Sequence, residues 1–556
     1  MEVYFRPDEE RPQGDGTEDG AFPRPPSFPP EVLERHGARM LRPTEAVRAP
    51  GTRAPQPTAY RAGILLVPDD LVRGRSDVIN RALGDIGLRF APPPPPSQLA
   101  PGLDEIGQYL RDLPRPVALR VREGGMPTDV DAWVALQHLR AVAGRAGSGL
   151  RREDVDRISL DHLLIGSAIT GIGGSPVTEG SPVTEGSGIG SYVRAGSGGR
   201  CPVDLAMPAP YRRHLRDCGT NRRPVVAVLD TGIRSHPWLD VPRYGDPLPA
   251  NGFVRIDPAL QALIRAEEEQ VAATSLDAVE VLVDHWDTPA TSAPLVGTLD
   301  SHLGHGTFIA GIVRQVAPDA EVLAIRIMHS DGVVYEKDLI LALKVLAARQ
   351  AQAQARGQAR PEDLVDIIVL SLGYFHEAPA DEVYTSTLAQ VLDELGAMGV
   401  LVVAAAGNYA TSRPFFPAAL AGRPKDQVPM PVLSVGALNP DGTVALFSND
   451  GSWVRCFATG AAIVSTFPTD VNGSRTPAVA LSVGNQPPNR RRTLDPDNFR
   501  SGFAVWSGTS FAAPLVAAYA AAGLLTGAAE NASLSLDAVD RETTIARINT
   551  ALQRMR

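Results

Sequence analysis

From Pro224 onward the chain alternates short runs of β-forming residues (Val225 to Leu229, Glu321 to Ile327, Ile367 to Leu370, Val400 to Ala404, Val432 to Ala437) with helical stretches, among them Lys337 to Gln350 and Ser386 to Met398. That alternation leaves few folds open. It predicts an α/β fold of three layers, a mainly parallel sheet covered by helices on both faces. At 556 residues, 44% apolar and 21% charged, the chain can bury one large core and has length left for a second.

Inside this region three segments carry one reactive residue each, in the order Asp, His, Ser. They are Val228-Leu229-Asp230-Thr231-Gly232-Ile233, Gly304-His305-Gly306-Thr307, and Ser507-Gly508-Thr509-Ser510-Phe511-Ala512-Ala513-Pro514. A serine hydroxyl of ordinary pKa is a poor nucleophile; it needs a base to take its proton and a carboxylate to orient the imidazolium that forms. Taken singly, each segment has a plainer reading. Asp-Thr-Gly also ends a strand in a turn, or marks an aspartic protease. His302, three residues before His305, raises a metal pair, which needs a third ligand. Gly-Thr-Ser could simply open a helix, with Ser507 or Thr509 as cap and Pro514 tolerated in the first turns. An aspartic protease would want a second Asp-Thr-Gly and has no use for the other two segments, so the full set selects acyl transfer. Ser510 then lies where a turn becomes a helix, at the positive end of the helix dipole. Asn408 follows the apolar run Leu401 to Ala406, at the strand end where open α/β sheets place their sites.

Together with Ala404-Ala405-Ala406-Gly407-Asn408, these motifs resemble those of subtilisin-like serine peptidases (subtilases, peptidase family S8) over roughly Cys201 to Gly527. The resemblance implies a subtilisin-like fold and a serine endopeptidase acting through an acyl-enzyme on Ser510, with Asp230, His305 and Ser510 as catalytic triad. It implies an oxyanion hole formed by the backbone N–H of Ser510 and the side-chain amide of Asn408. It also implies that Ser371, Leu372 and Gly373 form the edge that pairs with an extended polypeptide substrate and walls the first specificity pocket, opposite Ala405, Ala406 and Gly407. The small residues there suggest a pocket open to a sizeable side chain, its base closed by the loop near Phe415 to Lys425. Glu377, Asp381 and Glu382 after that edge read as a solvated loop face, with a preference for basic substrate positions as the alternative. No cofactor is required for this chemistry. Structural calcium is common in the family, and the insertions here disturb the loops that would carry it.

A net charge of −10 excludes a general nucleic-acid or anionic-membrane surface. Three cysteines, Cys201, Cys218 and Cys456, are too few for a disulfide framework. The opening residues show no basic then apolar signal pattern, and the longest apolar stretch, Ala512 to Leu525, is interrupted by Pro514 and Gly523. No membrane span is expected, and a cytoplasmic location is.

The expected organisation is a disordered Pro/Gly-rich leader over 1–56, a small N-terminal α/β domain over 57–165, and a Gly/Ser linker over 166–200. The linker contains the tandem repeat Ser175 to Gly180 and Ser181 to Gly186. The peptidase domain follows over 201–530 and a C-terminal helix over 531–556. In the N-terminal domain, Gly63 to Val67 and Val117 to Val121 read as strands, Ser76 to Gly87 as a helix, and Thr128 to Ala143 as a helix capped by Thr128 and Asp131. Its strand-helix order is similar to the prodomain with which family members are often made. Residues 57–165 are therefore expected to restrain the peptidase, with docking of a regulatory partner as the alternative. Between Asp230 and His305 lie 74 residues, more than the family core needs, so about 240–300 reads as an insertion, a lid or an exosite. A catalytically silent homologue acting as a binding module is the competing functional reading.

Overall fold

The computed structural model describes residues 3–7, 28–91, 103–124, 129–168, 199–276, 279–358, 360, 363–378, 383, 386–423, 432–482 and 490–556. The expected linker beyond residue 168, with its tandem repeat, and Asp381 and Glu382 lie outside them.

The N-terminal region contributes β1 (Tyr4–Phe5), α1 (Pro30–Arg35), β2 (Ala38–Leu41), β3 (Thr58–Pro68), α2 (Asp69–Gly84), β4 (Leu88–Phe90), β5 (Pro114–Val121), α3 (Ala132–Val142) and β6 (Ser159–Gly166). The leader is not disordered where it is described. β1 pairs antiparallel with a strand near residue 456, and Arg6 sets its guanidinium on Asp450 at 2.6 Å and over the ring of Phe457. β2 pairs with β3. These pieces are too short to show periodicity, and partners distant in sequence hold them. The α3 cap is Asp131, whose carboxylate accepts from the Val134 N–H; Thr128 lies outside the described residues. α2 begins seven residues before the expected Ser76, straight after Pro68. β3 is buried along all eleven residues, because β2, β5 and β6 flank it and α2 and α3 cover it.

After residue 199 come β7 (Cys201–Val203), β8 (Val225–Asp230), β9 (Val254–Ile256), α4 (Pro258–Thr274), α5 (His305–Val316), β10 (Glu321–Arg326), β11 (Val333–Tyr335) and α6 (Glu336–Arg356). They are followed by β12 (Ile367–Leu370), β13 (Leu372–Gly373), α7 (Thr387–Ala397), β14 (Leu401–Ala405), β15 (Leu433–Leu438), β16 (Cys456–Thr459) and β17 (Ile463–Thr466). Last come β18 (Ala480–Ser482), β19 (Arg490–Arg492), β20 (Phe503–Trp506), α8 (Thr509–Glu530) and α9 (Arg541–Gln553). The main sheet runs β1-β16-β15-β14-β12-β8-β10-β9, parallel except for β1. Its strands are apolar on both faces, and a separate core fills each side, one under α5 and α8, the other under α4, α6 and α7. The insertion builds an edge strand, β9, and a helix, α4, packed on α6 and β10, so this part of it is scaffold rather than a lid.

α8 runs unbroken through Pro514 and Gly523 and is, among the described residues, the one helix long and apolar enough to cross a membrane. Most of it is buried within the fold, where it packs on β12, β14, β15, α5 and α9. Length and apolarity here reflect a helix covered on nearly all sides.

β6 joins the two regions. Its first half pairs with β3; its second half lies antiparallel between β11 and β13, with Leu163 to Ile165 opposite Tyr335 to Val333 and Gly166 opposite Leu372.

Candidate active site

Asp230 ends β8 and His305 opens α5, and the fold brings their side chains together across 75 positions. His305 Nδ1 donates to both carboxylate oxygens of Asp230, at 2.8 and 2.9 Å, and the Thr231 N–H holds Oδ1 at 2.8 Å. The imidazole is fully buried against Trp506 and Phe511. The carboxylate fixes the tautomer, leaving Nε2 unprotonated when the ring is neutral; Nε2 is buried and has no hydrogen-bond partner among the described residues. Gly306 is needed for this approach, since a Cβ there would stand 2.2 Å from the Gly232 carbonyl oxygen. From the insertion, Asp287 accepts from Thr231 Oγ1 at 2.9 Å and from the Gly304 N–H at 2.6 Å, tying the two loops together. Burial pushes its carboxyl up to about 6. Nothing in the sequence set Asp287 apart from other acidic residues.

Ser510 is the second residue of α8, fully buried. Its Oγ donates to the Ser371 carbonyl at 3.1 Å, while Ser371 Oγ donates to the Ser510 carbonyl at 2.8 Å. Asn408 sits three residues past β14, with Oδ1 held by the N–H and the hydroxyl of Thr509, both at 2.9 Å. Its Nδ2 is thereby aimed at the space before Ser510. The carbonyl oxygen of Ser167 occupies that space, accepting from the Ser510 N–H at 3.0 Å and from Asn408 Nδ2 at 2.5 Å. Two donors converging on one oxygen just before a helix N-terminus are what a developing oxyanion requires.

The chain approaching that point is extended and paired. The Ser167 N–H donates to the Ser371 carbonyl at 2.9 Å, and Gly166 and Ile165 face Leu372 and Gly373. His302 donates from Nε2 to the Gly166 carbonyl at 3.1 Å, and burial pushes its pKa down to about 3, so it stays neutral. A Cβ on Gly166 would come within 2.6 Å of the His302 ring. Instead of pairing with His305 on a metal, His302 faces this segment.

Of the expected pocket residues, Ala405 and Ala406 are fully buried, and the Phe415 ring is wedged between the two walls. A Cβ on Gly373 would meet its Cε1 at 2.3 Å, and one on Gly407 its Cδ1 at 2.9 Å. The pocket is thus narrower than its small lining residues suggest. Glu377 is no solvated loop residue: it is buried, with Oε2 2.7 Å from His162 Nε2. Among the described residues, the two side-chain clusters of metal-ligating type both contain imidazole, which does not suit calcium, a cation that takes oxygen donors. The three cysteines are free thiols.

The family model described as "Subtilase family" matches residues 221–547, more than half of the chain. Thermophilic serine proteinase of Bacillus sp. (strain AK1) is 29% identical over 227 residues, which are 39% of this chain and 41% of that protein. Subtilisin BL of Lederbergia lenta is 28% identical over 291 residues, 50% of this chain and 79% of that protein. Two solved structures align at 18% identity. The cold adapted subtilisin-like serine proteinase has a TM-score of 0.34, covering 62% of this chain and 85% of its own. Fervidolysin from Fervidobacterium pennivorans has 0.40, covering 88% and 61%. With a mainly parallel sheet between helix layers, and an Asp, His and Ser in the family's order at its strand and helix ends, the chain belongs to the subtilase family of serine endopeptidases.

Proposed function

We propose that this protein is a serine endopeptidase restrained by its own N-terminal region, whose first substrate is the peptide bond between Ser167 and Ala168. The single observation that carries this reading is the Ser167 carbonyl oxygen seated between the Ser510 N–H and Asn408 Nδ2, on a strand paired with β13.

The groups are placed for acyl transfer. Ser510 Oγ turns from the Ser371 carbonyl toward His305 Nε2, gives up its proton there and bonds to the Ser167 carbonyl carbon. Ser510 N–H and Asn408 Nδ2 hold the negative oxygen that results. Asp230 keeps the imidazolium in place. The carbon–nitrogen bond to Ala168 then breaks, and the proton passes from Nε2 to the leaving amine. Water hydrolyses the ester on Ser510 by the same route. No step needs a metal or cofactor.

Restraint follows from the same geometry. β6 fills the edge that an external polypeptide would use, and the buried pair of Arg61 with Asp161, whose carboxylate also accepts from the Lys337 N–H, anchors β3 and β6 at the start of α6. Even after cleavage, the new carboxyl end at Ser167 would stay seated until the N-terminal region leaves. A docking role for that region toward another regulator is secondary, because its own last strand already occupies the cleft.

N-terminal sequencing of purified wild-type and Ser510→Ala proteins tests the reading. A new N-terminus at Ala168 in the wild type alone is expected, and a fluorophosphonate probe should label the wild type at Ser510. An intact 556-residue chain with full activity would overturn the restraint, and absence of labelling in both intact and trimmed protein would overturn the peptidase.

A further inference from the structure

We propose that His162, His376 and Glu377 form a transition-metal site, of the two-histidine, one-carboxylate kind that takes Zn2+, tying the cleft-filling strand to the peptidase. The inference rests on the reading of β6 as the occupant of the cleft.

His162 lies on β6, five residues before Ser167, while His376 and Glu377 follow the edge strand β13. Each of the three offers one donor atom, and these atoms lie within 4.8 Å of one another. Glu377 Oε2 is 2.7 Å from His162 Nε2 and 3.3 Å from His376 Nδ1. Four ligands about 2.1 Å from a tetrahedral ion stand roughly 3.4 Å apart, so the second spacing already fits and the first must open by about 0.7 Å.

Two further observations point to a cation. His376 Nδ1 accepts from the Ala378 N–H at 2.9 Å, so it carries a lone pair rather than a proton, and ligating an ion through it means exchanging that hydrogen bond for the metal. Its contact with the Glu377 oxygen is then acceptor against acceptor, which a positive ion between them relieves. The other nitrogen of His162, Nδ1, donates to Glu336 Oε2 at 2.5 Å, and Glu336 Oε1 is held by the Tyr374 hydroxyl at 3.0 Å. A carboxylate behind the distal nitrogen is the usual outer support of a metal-bound imidazole. No Arg or Lys makes an ion pair with Glu336 or Glu377 among the described residues; Arg413 donates instead to Gln56 Oε1 and to the Pro57 and His376 carbonyls, at 2.9, 2.8 and 3.1 Å. The other cluster, His36, Glu280 and Asp331, differs here, because Arg35 stands 2.5 Å from Asp331 and fills the place of a cation.

Two borderline imidazoles beside one carboxylate favour Zn2+ over calcium or magnesium, which take all-oxygen shells, with water free to complete the coordination. Because one ligand comes from the N-terminal region and two from the peptidase, metal binding would strengthen docking and delay release of the segment after cleavage.

The test uses the full chain carrying Ser510→Ala, which cannot cut itself, dialysed against Zn2+ and then metal-free buffer, with metal content measured. One retained equivalent is expected. His376→Ala and Glu377→Gln should each lower Zn2+ affinity at least about tenfold with circular dichroism unchanged, and His36→Ala should leave it unaltered. Co2+ in place of Zn2+ should give the visible bands of a four-coordinate ion in the parent and not in His376→Ala. No retained Zn2+, or retention equal in the parent, His376→Ala and Glu377→Gln, would overturn the site and show that a proton alone bridges His162 and the carboxylates. Either result leaves the N-terminal sequencing of the wild type untouched, so failure of the metal site and failure of the restrained-peptidase reading are separable.

Discussion

In the proposed mechanism Ser510, His305 and Asp230 depend on one another for a single proton path, so their losses should not multiply. Ser510→Ala and His305→Ala should each abolish nearly all turnover of a peptide substrate, and the double variant should be scarcely slower than either. Asp230→Asn should fold normally and lose roughly 10⁴ in rate, because the amide no longer holds the tautomer with Nε2 free. Steady-state kinetics on trimmed protein checks both; independent, multiplying losses would show that the three do not act as a unit. Phe415 carries a second expectation. Its ring stands between Gly373 and Gly407, and in the proposed cleft that narrowing would favour a small residue before the cut bond, such as Ser167. Phe415→Ala should shift the kcat/KM ratio of Phe over Ser substrates, at the position before the cut bond, by at least about tenfold. In full-length protein, Ser167→Phe should slow self-cleavage, and Phe415→Ala should restore it.

At the level of elements, two glycines set how closely backbones approach. In α5, Gly306 packs against the Gly232 carbonyl, which belongs to a backbone and cannot swing aside. Gly306→Ala should therefore separate α5 from the end of β8, costing more than about 3 kcal/mol in urea unfolding and removing activity together with stability. In β6, Gly166 faces the His302 ring and the Met328 sulfur instead, which are side chains. Gly166→Ala should leave the peptidase stable but weaken seating of the strand, so that self-cleavage slows several-fold while trimmed protein behaves as wild type. Comparing the two variants by urea midpoint and by cleavage time course separates a structural glycine from a substrate glycine.

For the whole molecule, one buried carboxylate joins the start, middle and end of the peptidase region. Asp366, just before β12, accepts from Arg222 at 2.6 and 2.8 Å, from Arg547 of α9 at 3.1 Å and from the Val225 N–H at 2.9 Å. Burial alone would raise its pKa, but the two guanidiniums win and hold it at about 2. A carboxyl lowered on folding stabilises the protein fully above its unfolded value, and that share is lost as pH falls through the folded value. The drop from the ordinary 3.8 to about 2 corresponds to about 2 kcal/mol, disappearing between about pH 4 and pH 2. Urea midpoints of Ser510→Ala protein across this range should show it. Asp366→Asn should be less stable by about 3–5 kcal/mol at neutral pH, because both arginines are left buried and uncompensated, and should lack that part of the acid dependence.

Much of this was legible in the sequence because it is local. Strand-helix alternation gives the parallel sheet, since side-chain period and helix length are properties of short segments. The three motifs name Asp230, His305 and Ser510 because each chemistry is written with its own glycine turn. Asn408 stood out for a related reason, an amide at the end of an apolar strand. What the sequence could not show depends on where distant segments meet. Asp287 looks like an ordinary loop residue, and His302 like half of a metal pair lacking its third ligand, until the insertion and the turn before α5 fold against the site. Phe415 stands between the two expected pocket walls only because its loop returns between Gly373 and Gly407. The leader looked featureless because its short pieces are held by distant partners, among them Asp450 and Phe457 for the first of them. Glu377 looked solvated until β6 set His162 beside it. Composition and spacing determined the class of fold and the reactive residues, since both are written within a few turns of chain; only the tertiary structure decided what fills the cleft, because a strand's partner is chosen by register and burial across hundreds of residues.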